Sequence, residues 1–84
     1  MVVEINLHEL VLDDAIDTIL DKVEELYALG AAQVVLVHGH HHGQLIKQWI
    51  WSPALETAMK KLGITLTSRE YAPKNPGATV ICFK

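Results

Sequence analysis

The stretch that decides the fold of this chain is Val34-Val35-Leu36-Val37-His38-Gly39-His40-His41-His42-Gly43. It joins an aliphatic run to a glycine-bounded histidine cluster, after which a helical pattern begins. Aliphatic residues at successive positions predict a strand that is buried on both faces. Gly39 and Gly43 permit a tight turn and a close approach of the backbone to a ligand. We therefore expect an anion site here, because N–H groups at a helix N-terminus point into such a loop.

Length and composition predict one globular domain that spans residues 1–84, since half of the residues are hydrophobic. No apolar run approaches the roughly 20 residues that span a bilayer, and the N-terminus lacks the features of a signal peptide, so no membrane partner is expected. Cys82 is the single cysteine, which predicts a reducing, cytoplasmic setting. The formal net charge of −3 does not favour nucleic acid, although protonated histidines would change this balance.

The residues before the central stretch predict a strand and a helix. Residues 2–7 alternate between apolar and polar side chains, which indicates a first strand with His8 at its C-terminal end. Apolar residues then recur at intervals of three and four, and they predict a helix from about Asp13 to Leu29 that ends at Gly30. Asp13 and Asp14 suit an N-cap and a first helical turn.

A strand, a helix and a second strand at residues 33–37 in so short a segment predict a right-handed crossover between parallel strands. Both strands then end at the same edge of the sheet, where ligands bind in open α/β sheets. His8 and His38 each follow such a strand end. We therefore expect these two histidines to be neighbours in space.

The second half of the chain predicts a broken helix and a hairpin. A helix is expected from Gly43 or Gln44, with a break at Ser52-Pro53 and a continuation to Leu62. Short strands at residues 64–69 and 79–83 flank a loop at residues 73–77 and form an antiparallel pair. The order β-α-β-α-β-β predicts an α/β fold, namely a two-layer α+β sandwich with a four-stranded mixed sheet and both helices on one face.

This arrangement leaves the second face of the sheet open. The second strand is apolar on both faces, so part of the open face is expected to be apolar and to serve as a homodimer contact. The polar residues expected to face water there are Glu4, Asn6, Thr65, Thr67 and Arg69.

Three motifs resemble those of the small MutS-related (Smr) domain family over nearly the whole chain. Residues 5–9, Ile-Asn-Leu-His-Glu, are similar to the family's Leu-Asp-Leu-His-Gly. Residues 38–43, His-Gly-His-His-His-Gly, are similar to its His-Gly-x-Gly-x-Gly, and residues 77–80 to its closing Gly-x-Thr-x-Val strand. The chain departs from the family at three motif positions, where Asn6 replaces aspartate and Glu9 and His41 replace glycines. A basic residue that is common early in the family's second helix is Ile46 here, with Lys47 beside it.

The resemblance implies a fold like that of the C-terminal domain of translation initiation factor three, with strand order 1-2-4-3 and an antiparallel last strand. It also implies binding of DNA or RNA and, in several members, nicking or cleavage. His8 and His38 would then be the catalytic acid and base, since imidazole reaches both protonation states near neutral pH. The residues expected to contact phosphate or nucleic acid are Asn6, Gly39, His40, His41, His42, Gly43 and Lys47.

Other interpretations of the same residues stay open. His8 and His38 would equally close the strand ends by hydrogen bonds to each other or to the backbone. His38, His40 and His8 would together offer three ligands to a divalent metal, although a polar loop is favoured and no metal site is assigned. Trp51 would stack on a base or pack against the Ser52-Pro53 break. The alternatives to a nicking endonuclease are thus a non-catalytic module that binds nucleic acid, a metal or a small anion through residues 38–43, and a self-associating domain.

Overall fold

The computed structural model describes residues 3–39 and 44–84. His40, His41, His42 and Gly43 lie outside the described residues. The elements follow one another as β1 (Glu4–Asn6), α1 (Leu12–Ala28), β2 (Gln33–Val37), α2 (Gln44–Ile50), α3 (Pro53–Lys61), β3 (Leu66–Ala72) and β4 (Asn75–Phe83).

The four strands form one mixed sheet in the order β1-β2-β4-β3. β1 and β2 are parallel, with Asn6 opposite Val37, whereas β4 is antiparallel to both β2 and β3. The expected mixed sheet, its strand order and its antiparallel last strand are therefore confirmed. The expected adjacency of the carboxyl ends of β1 and β2 is confirmed as well.

The core lies between the helices and one face of the sheet, which we call the inner face. The strand residues that point to this face, as the pairing register shows, are Ile5, Val34, Leu36, Thr79, Ile81 and Phe83. The buried helix residues that pack with them are Ala15, Ile19, Val23, Ile46, Ile50, Leu55 and Met59. Burial of these apolar side chains is the main term that stabilises the fold, since each large one contributes roughly 1.5–3 kcal/mol.

The expected helix break at Ser52-Pro53 is confirmed. Ser52 has an extended backbone, and its hydroxyl accepts a hydrogen bond from the N–H of Ala54 at 3.2 Å. Pro53 occupies the first helical position, where its missing N–H costs no hydrogen bond. α1 begins at Leu12 and has no side-chain cap, so the expected N-cap role of the two aspartates is wrong, although both lie in the first turn.

The hairpin of β3 and β4 is tighter than expected. The loop expected at residues 73–77 is a two-residue turn of Pro73 and Lys74, because β3 continues to Ala72 and β4 begins at Asn75. The extra residues appear instead as an irregularity in β4, since Tyr71 pairs with Thr79 while Ala72 pairs with Asn75. Proline and glycine fit such a bulge because Pro76 lacks the N–H that a regular ladder would require.

The expectation that Arg69 faces water on the open face is wrong. Leu66 pairs with Phe83 and Ser68 with Cys82, so an extra residue bulges between them and reverses the alternation of side chains. Arg69 consequently points to the inner face. Its guanidinium donates to the carbonyl oxygens of Ile50 at 2.7 Å and Ser52 at 2.9 Å, at the junction of α2 and α3.

The outer face of the sheet carries an apolar stripe. Val35, Val37, Val80 and Cys82 are half-buried and, by the pairing register, point away from the inner face. This agrees with the apolar open face that the sequence predicts. The homodimer contact through this face stays a prediction, which sedimentation of the purified chain would test. In residues 3–39 and 44–84, no helix combines the length and the apolar composition that crossing a membrane requires.

Candidate functional site

The carboxyl ends of β1 and β2 place His8 and His38 at one edge of the sheet, as expected. The N–H of Leu7 donates to the carbonyl oxygen of Val37 at 2.8 Å, which continues the parallel ladder to the last residue before His8. The two imidazoles are nevertheless in different environments. His8 is exposed, whereas His38 is only 1% exposed. Of the two, only His8 is open to a ligand in solution.

Both ring nitrogens of His38 are engaged within the protein. Nδ1 lies 2.9 Å from the carbonyl oxygen of Gly39, and Nε2 lies 3.0 Å from the hydroxyl oxygen of Thr79. Because a carbonyl oxygen only accepts, the ring proton is on Nδ1 and Nε2 accepts from the Thr79 hydroxyl. The indole N–H of Trp51 donates to the same hydroxyl oxygen at 3.0 Å. The result is a directed chain of hydrogen bonds from Trp51 through Thr79 and His38 to Gly39.

Burial makes the neutral form of His38 the stable one. Desolvation lowers the pKa of His38 below its ordinary value of 6.5, and the positive charge of Lys47 lowers it further, against the opposing effect of the hydrogen bond to Gly39. Transfer of a proton at Nε2 would require the bond to Thr79 to break. The environment of His38 thus favours a positioning role for its ring.

The bulge of β4 holds the beginning of the 38–43 segment. The backbone N–H groups of His38 and Gly39 both donate to the carbonyl oxygen of Gly77, each at 2.9 Å. Asn75 supports the bulge from the other side, because its side-chain oxygen accepts from the N–H of Gly77 at 3.0 Å. Gly39 has a φ of 93°, which favours glycine at this position. Its N–H is committed to Gly77 and does not point toward a ligand.

A tight turn after β1 positions His8. The side-chain oxygen of Asn6 accepts from the backbone N–H of His8 at 2.9 Å, and the N–H of Leu10 donates to the carbonyl oxygen of Leu7 at 3.1 Å. Glu9 has a φ of 73°, in the left-handed region that favours glycine. This is the position at which the Smr motif has glycine. Glu9 therefore holds a backbone conformation that glycine would adopt with less strain.

Lys47 lies next to an exposed aromatic pair. Its ammonium nitrogen is 4.9 Å from the centre of the Tyr71 ring, which is within range of a cation–π interaction. The Tyr71 ring is itself stacked on Trp51, with 4.8 Å between the ring centres and 28° between the planes. Trp51 is thus partly exposed, stacked on Tyr71 and bonded to Thr79. Its expected stacking on a base or packing against the Ser52-Pro53 break stays a prediction.

A groove of about 470 Å³ opens beside this pair. We call it the α2–β3 groove. Its lining residues are Lys47, Tyr71, Ala72, Lys74, Asn75 and Pro76. Among the described residues, two lysines and one exposed aromatic ring line it, and no carboxylate does. Of the predicted phosphate contacts within residues 3–39 and 44–84, Lys47 alone lines this groove.

The remaining site predictions concern the roles of residues 40–43 and the possible metal ligands. His40, His41, His42 and Gly43 lie outside the described residues, so their roles stay predictions. Within residues 3–39 and 44–84, no group of three histidine, cysteine or carboxylate side chains could hold a metal ion. The set that includes His40 stays untested.

Sequence reasoning did not identify Tyr71 and Lys74 as site residues, and it gave Gly77 and Thr79 no role. The Gly-x-Thr-x-Val resemblance was the available signal for the latter two. Gly77 holds the backbone of residues 38 and 39, and Thr79 holds the ring of His38. For Tyr71 no local signal exists, because its importance comes from Lys47 on α2 and from Trp51, which directly follows α2.

Comparison with solved structures agrees with the resemblance drawn from the motifs. The chain is similar to the Smr domain of Thermus thermophilus MutS2, with a TM-score of 0.73, 25% sequence identity and coverage of 98% of each chain. No protein-family model matches the chain, and no curated protein sequence matches it. The resemblance to the Smr domain is therefore confirmed over the whole fold.

Proposed function

We propose that this chain, which has the fold of an Smr domain, is a nucleic-acid-binding module. Its contact surface would be the α2–β3 groove. The observation that carries the proposal is the composition of that groove, since its described lining contains two lysines and an exposed tyrosine and no carboxylate. Ammonium groups meet phosphates, and aromatic rings meet bases, in proteins that bind nucleic acid.

The distribution of charge supports this surface in spite of the net charge of −3. Eight of the ten acidic residues precede Gly30, whereas six of the seven basic residues follow it. The acidic residues accordingly belong mainly to β1, α1 and the turn between them. The groove is built from α2, β3 and β4, at the opposite side of the sheet order. A polyanion would therefore approach the basic side of the domain.

Hydrolysis of a phosphodiester bond by His8 and His38 is the second candidate function. The exposure of His8 beside the end of β2 favours it, because a general acid or base must reach its substrate. In this proposal His8 transfers the proton. His38 either holds the backbone at the carboxyl end of β2 in position, or exchanges its hydrogen bond to Thr79 for one to the substrate. The metal and small-anion alternatives involve residues 38–43, of which residues 40–43 lie outside the described residues.

Binding and cleavage would be tested separately. Fluorescence anisotropy of labelled DNA and RNA would measure the dissociation constant at low and moderate salt, where phosphate contacts make binding fall steeply as salt increases. Nicking of supercoiled plasmid and cleavage of structured RNA would be followed with chelator and with magnesium, manganese or zinc. Absence of salt-dependent binding to any of these nucleic acids would overturn the proposal.

Matched variants would locate the function. Lys47→Ala should weaken binding, and Lys60→Ala, an exposed lysine on α3 outside the groove, should leave it within about twofold. His8→Ala should abolish nicking with little change in stability, because the side chain is exposed. Binding without nicking in the wild type would leave the domain a non-catalytic module.

A further inference from the structure

We propose that the α2–β3 groove receives one unpaired base of a single-stranded nucleic acid, stacked on Tyr71, with Lys47 and Lys74 contacting the flanking phosphates. This inference rests on the proposed function and narrows it from nucleic acid in general to strands that offer an unpaired base. It assigns a recognition role to Tyr71 and Lys74, which are distant in sequence from the histidine motifs.

The first argument is the orientation of the Tyr71 ring. Tyr71 is 54% exposed, yet its ring does not lie loosely on the surface. Trp51 stacks against it, and the indole N–H of Trp51 is fixed by Thr79 at 3.0 Å. A ring that is held before binding loses little conformational entropy when a base stacks on it. Tyr71 is therefore a preorganised platform.

The second argument is the position of the two ammonium groups. Lys47 already interacts with the ring, with its nitrogen 4.9 Å from the ring centre. Lysine is flexible, so an incoming base displaces this ammonium from the ring and the phosphate beside the base becomes its partner. Lys74 lies at the hairpin turn on the same groove. The groove thus offers an aromatic surface and two cations, the combination that binds single strands.

The third argument is that no neighbouring carboxylate on β3 repels phosphate from the groove, and that a base within a duplex cannot enter it. Glu70 neighbours Tyr71 in sequence but pairs with Val80 and points to the outer face, so it does not repel phosphate from the groove. The groove volume of about 470 Å³ is within the range of small-ligand sites and suits one nucleotide. In a duplex the bases are stacked on one another inside the helix, and their faces cannot reach Tyr71.

The test compares three labelled probes at equal salt by fluorescence anisotropy. These are a short oligodeoxythymidine, an abasic strand of the same length with the same phosphates, and a duplex of the same length. The wild type should bind oligodeoxythymidine about 5- to 150-fold more tightly than the abasic strand, the range expected for one stacked base. The abasic comparison uses the unaltered protein, so it does not depend on the folding of a variant.

Variants then assign the effect. Tyr71→Ala should bind oligodeoxythymidine and the abasic strand equally, whereas Tyr71→Phe, which keeps the ring, should behave as the wild type does. Lys47→Ala and Lys74→Ala should each reduce the slope of log affinity against log salt by about 0.7, and Lys60→Ala should not. Thermal unfolding of each variant would confirm that it is folded.

The outcomes separate this inference from the proposed function. Equal binding of the abasic strand, the duplex and oligodeoxythymidine by the wild type would overturn the stacked base and retain nucleic-acid binding. A preference for oligodeoxythymidine that survives Tyr71→Ala would also overturn it, because the base would then be held elsewhere. Absence of binding to all three probes would overturn both.

Discussion

The hydroxyl oxygen of Thr79 lies 3.0 Å from Nε2 of His38, and this bond joins β4 to the residue that follows β2. The same oxygen accepts from Trp51 at 3.0 Å, so one buried threonine connects the histidine segment to the aromatic pair of the α2–β3 groove. Neither His38 nor Thr79 is exposed by more than 1%. A ligand that moves Trp51 would therefore also change the hydrogen bond between Thr79 and His38.

The burial of His38 predicts a loss of stability in acid. Its pKa in the folded protein is below the ordinary value of 6.5, so in the pH range between these two values the unfolded chain binds more protons. The free energy of unfolding should therefore be fully maintained above pH 6.5 and should fall as the pH decreases below it. Urea unfolding at a series of pH values would measure this dependence. His38→Gln should show a flatter curve, and equal slopes for both proteins would contradict the prediction.

The hydrogen bonds of Arg69 predict that a single substitution of this residue lowers the stability of the fold by a large amount. Arg69→Ala should lower the free energy of unfolding by roughly 2–3 kcal/mol, because two carbonyl oxygens at the α2–α3 junction lose a charged donor. Glu56 also bonds to Arg69 at 2.7 Å, but its side chain is 55% exposed. Glu56→Gln should therefore cost less than about 1 kcal/mol. Similar losses for the two variants in urea unfolding would show that the ion pair, and not the carbonyl contacts, matters.

The left-handed backbone of Glu9 predicts a stabilising substitution. Glu9→Gly should raise the free energy of unfolding by roughly 0.5–1 kcal/mol, since relief of a left-handed conformation outweighs the entropy that glycine loses. Glu24→Gly, an exposed position inside α1, is the matched control and should lower it by about 1 kcal/mol. Thermal unfolding measures both, and a loss of stability in Glu9→Gly would reveal that the Glu9 side chain has a role of its own.

The hairpin turn predicts opposite effects on stability and binding. Lys74 has a φ of 62°, so Lys74→Gly should raise the melting temperature by removing the same kind of strain. The substitution also removes one ammonium from the groove and should weaken binding of a single strand. Lys74→Asn tolerates the left-handed backbone and should likewise weaken binding. Unchanged affinity in both variants would exclude Lys74 from the contact surface.

Asn6 predicts a gain of nicking activity on conversion to the residue of the Smr motif. Asn6→Asp keeps an oxygen for the N–H of His8, so stability should change little. The new carboxylate would lie next to His8 and would strengthen it as a base, with an increase in plasmid nicking of up to about 100-fold. Asn6→Ala is the control that removes both the oxygen and the charge. If Asn6→Asp nicks no faster than the wild type, the missing carboxylate is not what limits hydrolysis.

Local signals predicted the frame of the fold but not the partners of its site residues. The parallel pairing of β1 and β2 followed from their patterns and the helix between them, and Ser52-Pro53 marked the helix break. Arg69 was assigned to the wrong face because one bulged residue reverses the alternation of side chains along β3. No residue type in that segment indicates a bulge. The hydrogen bond between His38 and Thr79 could not be predicted either, because the two positions are 41 apart in sequence and only the pairing register of β2 with β4 brings them together.

The irregular pairing of β3 also affects how copies of this chain meet one another. β1 and β3 are the two edges of the sheet, and an edge strand with free N–H and C=O groups is a template for aggregation. β1 is only three residues long, and β3 is interrupted by two register shifts. A regular strand from a second molecule cannot follow either edge for long. The bulge that turns Arg69 toward the helices thus also protects the chain from growing into an extended intermolecular sheet.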